Sequence, residues 1–243
     1  MSNKPYYLRY EDRYKQAYEA GIKLWGHTEA DEELSSTLSK WVKDNNLYGK
    51  RIIDFGCGEG AGGVILSQLG CIYHGVDIAP SAIEKARSML EKYPNATVSV
   101  HNLVEDDITE KYDAAIDIMG LHVIVLDDDR KKYLVNAYNC LKDNAPMLFF
   151  REWYEKDVVE EVIDSIERWA AITGIDYTTP KIKTVSHVGK EVEVNMTYIP
   201  ARGNSKEGYI KEMCAAGFEV EHFVEMEPSI QIPHSASIFV RKP

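Results

Sequence analysis

The residues best placed to do chemistry cluster where a short apolar run meets a series of glycines. Arg51-Ile-Ile-Asp54-Phe-Gly56-Cys57-Gly58-Glu59-Gly60-Ala61 carries G-x-G-x-x-A directly after a predicted strand and before a predicted helix. Six of the sixteen glycines fall between Gly56 and Gly70, so the backbone there must turn tightly or let a ligand come close. Asp77 follows Gly58 by nineteen residues, at the end of the next predicted strand. A carboxylate at that place accepts hydrogen bonds from ribose hydroxyls. The spacing predicts a nucleoside site in the first half of a doubly wound sheet.

Charge selects among nucleosides. A dinucleotide pyrophosphate lies over the glycine loop and the helix N-terminus. Asp54 before the loop and Glu59 within it put two carboxylates there. Like charges about 4 Å apart repel by on the order of 4 kcal/mol at an effective dielectric near 20. A ligand bearing an ammonium and a sulfonium is attracted instead. S-adenosyl-L-methionine (SAM) has both, plus a ribose and an adenine, so it is expected ahead of NAD.

The elements that position these residues follow from hydrophobic period and from breakers. A helix is predicted from Glu29 to about Lys43, capped by Thr28, with Leu34, Leu38, Trp41 and Val42 on one face. Strands are predicted from Arg51, over 71–77, 97–101, 112–118 and 146–151. Helices over 61–69, from Pro80 to about Tyr93, and from Asp127 to Leu141 alternate with them. Short joints between these elements imply right-handed crossovers and a parallel sheet. Residues 155–204 break the rhythm, with an amphipathic helix through Val159, Val162, Ile163, Ile166, Trp169 and Ala170. A hairpin then pairs 181–188 with 191–198, turning at Gly189. Ser205 caps a last helix, and strands over 218–226 and 235–241 close the chain.

Composition excludes several classes. With 28 Lys+Arg against 39 Asp+Glu, the net charge of −11 opposes nucleic acid as the main partner. No apolar run approaches the roughly 18 residues of a membrane span, and the polar start lacks the core of a signal peptide. Cys57, Cys71, Cys140 and Cys214 show no C-x-x-C spacing, so neither a metal site nor a disulfide framework is expected. A reduced, cytoplasmic protein is the expectation.

The sequence resembles the class I (Rossmann-like) SAM-dependent methyltransferases of small molecules, over about residues 45–155 and the closing strand pair. Arg51 to Gly60 is similar to that family's first motif, and His74-Gly-Val-Asp77-Ile78-Ala-Pro to its second. Asn102-Leu103 stands where the family binds adenine, with asparagine in place of the commoner aspartate. Tyr112 through Asp117, Met119 and His122 is similar to the fourth-strand motif. The family's Gly-Gly turn before the fifth strand is replaced by Asp143-Asn144-Ala145. The resemblance implies an α/β fold: a doubly wound seven-stranded sheet, mostly parallel with an antiparallel closing strand, helices on both faces, and an inserted helix-plus-hairpin lid. It implies SAM contacts from Asp54, Gly56, Cys57, Gly58, Asp77, Ile78, Asn102, Leu103, Asp117 and Met119. It further implies methyl transfer to nitrogen, oxygen or sulfur of a small-molecule acceptor by direct displacement, leaving S-adenosyl-L-homocysteine (SAH). A peptide or protein acceptor, a SAM binder without catalysis, and an NAD oxidoreductase are the alternatives.

Single-domain organisation is expected across 1–243: a helical cap over 1–45, a SAM-binding core over 46–154, a lid insertion over 155–204, and a last helix and strand pair over 205–243. His122 is the candidate base, with packing or substrate contact as the other reading. Glu152 is a second candidate base, or else an exposed loop carboxylate. Tyr10, Tyr14 and Tyr18 recur every fourth residue on one helical face. With Trp25 they form either a lid over the sulfonium or plain core. Tyr154, Tyr198 and Arg202 are candidate substrate contacts, Arg202 for a carboxylate or phosphate or else as a surface residue. The protein is expected as a monomer, or as a homodimer through the 181–198 hairpin.

Overall fold

Runs of β-branched and aromatic residues, each followed by an amphipathic stretch, build three layers in the computed structural model. It describes residues 5–25, 28, 30–156, 158, 161–187, 190–228 and 233–243. β1 (Arg51–Phe55), β2 (Ile72–Asp77), β3 (Ala96–Val100), β4 (Ala114–Ile118) and β5 (Pro146–Trp153) pair in parallel. β6 (Lys181–His187) and β7 (Lys190–Met196) form a separate antiparallel hairpin. β8 (Glu219–Met226) and β9 (Ser235–Arg241) complete a seven-stranded sheet in the order β3-β2-β1-β4-β5-β9-β8. β9 runs antiparallel to both neighbours, and β8 takes the edge. Strand order reverses at β1, which has β2 on one side and β4 on the other. That switch point is where such sheets bind ligands.

The helices are α1 (Tyr10–Glu19), α2 (Glu32–Asp44), α3 (Ala61–Gln68), α4 (Pro80–Leu90), α5 (Asp127–Cys140), α6 (Ile166–Thr173) and α7 (Lys206–Ala215). On one face, Ile52, Ile116, Leu148 and Phe150 meet Leu34, Leu38 and Trp41 of α2, Val64 and Ile65 of α3, and Ile83 of α4. On the other, Ile53, Phe55, Ala115 and Phe149 meet Tyr133, Leu134 and Ala137 of α5, and Tyr209 and Met213 of α7. Each such large side chain, once buried, contributes roughly 1.5–3 kcal/mol.

Two expectations are corrected. α2 is capped by Asp31, whose Oδ1 accepts from Glu33 N–H at 3.1 Å and Leu34 N–H at 3.0 Å. Thr28 closes only a local turn to Ala30 N–H at 3.3 Å. Asp31 stands directly before the apolar stripe, so its carboxylate reaches the free amides of the first turn. α6 begins at Ile166, capped by Ser165 Oγ, which accepts from Arg168 N–H at 3.2 Å. Val162 therefore lies outside the helix and exposed, while Ile163 is buried and donates its N–H to Asp127 Oδ2 at 3.0 Å. Val159 and Gly189 lie outside the described residues. The β6–β7 hairpin stands apart from the seven-stranded sheet and lies on α1. Val194 and Met196 cluster with Ala17 and Ile22, and Gln16 exchanges two hydrogen bonds with Thr197, at 3.1 and 2.7 Å.

Candidate active site

At the β1–β2 end the backbone does the positioning. Gly56, Gly58 and Gly60 all take left-handed φ values of 71°, 51° and 89°, a conformation that side chains disfavour. The loop they form turns the Gly58 N–H onto Asp77 Oδ2 at 2.8 Å, and Ala79 N–H reaches Oδ1 at 2.9 Å. Burial raises the Asp77 pKa, and these two N–H bonds oppose the rise. A carboxylate has about four acceptor sites, so Asp77 is fixed in direction and still has lone pairs for two hydroxyls. The chain thus fits a ribose there.

Asp54 departs from the expectation of a full negative charge facing the loop. It is fully buried, accepts from the Tyr73 hydroxyl at 2.7 Å, and leaves Oδ1 without a partner. Burial pushes its pKa up to about 7, so near neutral pH it is only partly ionised. Glu59 is engaged as well: it accepts from the Tyr18 hydroxyl at 2.8 Å and from Trp25 N–H at 2.7 Å. Less negative charge therefore faces a pyrophosphate there than the sequence suggests. Asn102 caps its own loop, its Oδ1 accepting from Val104 N–H at 3.1 Å. Ile78 and Leu103 join the apolar layer of α5, and Cys57 is buried beneath the loop.

The β4–β5 end is built from side chains. His122 Nδ1 lies 2.8 Å from Glu152 Oε2, which also accepts His122 N–H at 2.7 Å. Glu152 is fully buried in β5, which overturns its reading as an exposed loop carboxylate, and its Oε1 has no partner. A β-bulge between Phe149 and Glu152 explains how it gets there. Strict alternation would send residue 152 to the α2 side, following Phe150. Arg151 takes φ 57° and is the extra residue. Its guanidinium crosses to Glu33 of α2, with Nε 2.8 Å from Oε2. Glu152 is thereby returned to the face of Tyr133 and Tyr209. Asp117 lies on the same face, accepting from Tyr133 Oη at 2.7 Å and Gly120 N–H at 2.6 Å. Burial, and then the Glu152 charge, raise the Asp117 pKa well above its usual value. Met119, with φ 62°, makes the turn out of β4.

Above the β1–β2 end lies α1. Tyr10, Tyr14, Tyr18 and Trp25 pack with Ala79 and Ala82 of the β2–α4 joint. A Cβ built on Gly58 would come within 2.9 Å of Tyr14 Oη, so that ring lies on the glycine loop. Since the hairpin rests on α1, the two segments foreseen as separate lids form one unit. The other lid candidates are not gathered with them. Tyr154 packs edge-on against Phe223 of β8, with centroids 5.3 Å apart. Tyr198 stacks on Tyr177 at 5.2 Å. Arg202 is neither free for a substrate nor a loose surface residue: Nη1 binds Asp127 Oδ1 at 2.5 Å and Val125 O at 2.8 Å. Its backbone N–H donates to His122 O at 2.7 Å, bracing the loop that carries the imidazole. The sequence reading missed Tyr133, Arg130 and Arg13. Arg130 and Arg13 stand at buried positions of α5 and α1, where a charge is a signal.

An open α/β sheet with a glycine loop at its switch point and a carboxylate closing the next strand defines a nucleoside-cofactor site. Residues 53–147 match a family described as a methyltransferase domain. A ribosomal protein L11 methyltransferase from Aeromonas hydrophila is 26% identical over 147 residues, covering 56% of this chain and 48% of that protein. The chain spans about half the length of this relative. Magnesium protoporphyrin IX methyltransferase from Synechocystis PCC 6803, solved with bound SAH, has a TM-score of 0.65 at 15% identity, covering 96% of this chain and 98% of that one. A 1,6-didemethyltoxoflavin-N1-methyltransferase from Burkholderia thailandensis, solved with its acceptor and SAH, gives 0.64 at 15%, covering 96% and 87%. The match over residues 53–147 is to a methyltransferase domain, and the whole sheet has the fold of SAM-dependent methyltransferases. No helix among the described residues is long and apolar enough to cross a membrane.

Proposed function

We propose that this protein transfers the methyl group of SAM to a nitrogen, oxygen or sulfur of a small-molecule acceptor, with His122 as general base. One observation carries the role of His122, its 2.8 Å contact through Nδ1 with the buried Glu152. Oε2 already accepts the His122 backbone N–H at 2.7 Å, so Nδ1 is assigned the proton it donates to the same oxygen, and Nε2 presents a lone pair. Among the described residues Nε2 takes no hydrogen bond. It is therefore available to remove a proton from an acceptor hydroxyl, ammonium or thiol.

When bound, SAM supplies a methyl group already activated by its sulfonium. Asp77 would hold its ribose hydroxyls, Gly56 to Gly58 would let it approach the backbone, and Ile78, Asn102 and Leu103 would flank its base. Asp54, Cys57, Asp117 and Met119 shape the floor beneath. Tyr10, Tyr14, Tyr18 and Trp25 would exclude water as a lid. Closure of that lid by two tethered segments favours an acceptor small enough to be enclosed. A protein acceptor is the second reading, favoured by the name of the relative from Aeromonas hydrophila.

Incubation with SAM and a metabolite extract, followed by mass spectrometry, separates these readings. A small molecule heavier by one CH2, formed together with SAH, is expected. A polypeptide as the sole methylated species would establish the second reading, and absence of SAH formation from any acceptor would sink both.

A further inference from the structure

Among the described residues three arginines are buried and a fourth, Arg202, is nearly so, and all but one of the four face a carboxylate. Arg130 binds Glu212, Arg151 binds Glu33, and Arg202, part-buried at its guanidinium, binds Asp127. Arg13 of α1 does not. It is 9% exposed, its Nε is shut off from solvent with no acceptor, and its Nη2 reaches only Thr197 O, at 3.4 Å. Among the described residues no acid forms an ion pair with it. A buried cation without a counter-charge is costly unless a ligand supplies one.

Its position says which ligand. The guanidinium carbon lies 5.3 Å from the centroid of the Tyr10 ring. The Tyr10 hydroxyl feels the charges of both Asp77 and Glu152, so the ring is near the ribose carboxylate and near the residue that holds the proposed base. The paired bonds between Gln16 and Thr197 fix α1 against the chain leaving β7. Arg13 is thus held on the hairpin side of α1, while Tyr14 and Tyr18 turn to the glycine loop. The charge is placed toward the inserted segment, away from the loop that would take the cofactor.

We propose that Arg13 is the anion-binding residue of the acceptor subsite, and that the methyl acceptor carries a carboxylate or phosphate group. This rests on the methyl-transfer reading above. SAM has a carboxylate of its own, so the experiment must tell the two anions apart.

Calorimetry with SAH on the wild type and on Arg13→Gln is the first arm. The second is thermal melting in saturating SAH with acetate, benzoate or inorganic phosphate, against acetamide and benzamide as neutral twins. At least one anion should raise the wild-type melting temperature by about 2 °C or more, the amides should not, and Arg13→Gln should lose the shift. SAH affinity of the variant should stay within about threefold of the wild type. A drop of about tenfold or more in SAH affinity, the scale of a lost charged hydrogen bond, would assign Arg13 to the cofactor and overturn the proposal. Equal shifts from the amides, or no shift from any anion, would also overturn it. Should Arg13→Gln fail to fold, Arg13→Lys, which keeps the charge and loses the fork, is expected to retain part of the shift. A wild type that does not bind SAH would defeat the methyl-transfer reading by itself. The same anions tested without SAH would then still report on Arg13.

Discussion

At the β1–β2 end of the site, Asp77 is held by the N–H groups of Gly58 and Ala79. At the β4–β5 end, Glu152 holds the imidazole and the N–H of a residue thirty positions earlier in the chain. The first arrangement needs only glycines at fixed spacing and a turn. The second needs a bulge at Arg151, a brace from Arg202 and a buried shell of Tyr133, Tyr209 and Arg130. A carboxylate directed by backbone amides tolerates change around it, since the amides are part of the fold. One that in turn directs a side chain depends on each neighbour remaining in place.

If the two ends divide the work in this way, damage to them should separate. His122→Ala should lower turnover by about 10²–10⁴-fold, the range for losing a general base, while SAH affinity by calorimetry stays within about threefold. Glu152→Gln should lower turnover less, because the amide oxygen can still accept from Nδ1 and from the His122 N–H. A loss of SAH affinity as large as the loss of turnover would show that the β4–β5 end serves the cofactor, and the division would fail.

Asp54 and Asp77 sharpen the comparison within one end. Both are buried, but Asp77 has two amides and Asp54 a single tyrosine hydroxyl. The Asp54 pKa is raised to about 7, so the native state keeps a proton that the unfolded chain has released between roughly pH 4 and 7. Its contribution to stability is therefore full below that window and is lost as pH rises through it, by on the order of 4 kcal/mol. Asp54→Asn removes the titration. Urea unfolding at about pH 5 and about pH 8 should show a smaller decline in the variant than in the wild type. Parallel declines would mean that something other than Tyr73 stabilises the Asp54 charge.

Most of the sheet is legible in the sequence because its strands are short β-branched, aromatic or other apolar runs with a glycine, proline or acidic turn beside them. Gly58 and Asp77 are legible for the same reason, since their geometry is local. Glu152 is not. Counting alternate residues from Phe149 sends its side chain to the α2 face, and nothing in Phe149-Phe150-Arg151-Glu152 announces a bulge, since arginine is not a residue that favours φ 57°. Arg202 has the reverse problem: a charged residue in an irregular segment suggests a ligand, yet Asp127 and Val125 O already occupy it. The docking of the hairpin on α1 joins segments about 180 positions apart through Gln16 and Thr197, and no local pattern encodes such a pairing.

A smaller effect is expected at the ribose carboxylate. Asp77→Ala should weaken SAM binding by roughly 1–3 kcal/mol, the scale for losing hydrogen bonds to a charged group. Asp77→Asn should recover part of it, because an amide oxygen still accepts from Gly58 N–H. If Asp77→Asn is as poor as Asp77→Ala, the carboxylate matters through its charge more than its direction, and the contrast between the two ends narrows.

The smallest effect falls on the cap. Glu59 belongs to the glycine loop but accepts from the Tyr18 hydroxyl and Trp25 N–H, so it ties α1 and the segment after it to the cofactor end. Tyr18→Phe removes one of those two bonds and leaves the ring among Tyr14, Ala79 and Ala82. The loss should be about 1 kcal/mol, which corresponds to amide hydrogen exchange about fivefold faster along α1. Exchange in β4 and β5 should be unchanged, since no hydrogen bond of Tyr18 reaches them. Glu59→Gln should act in the same direction and further, because both bonds then go to a neutral acceptor. Faster exchange in β4 and β5 as well would mean that the cap and the base end open together, and a cap that governs both ends would leave no reason to assign them separate tasks.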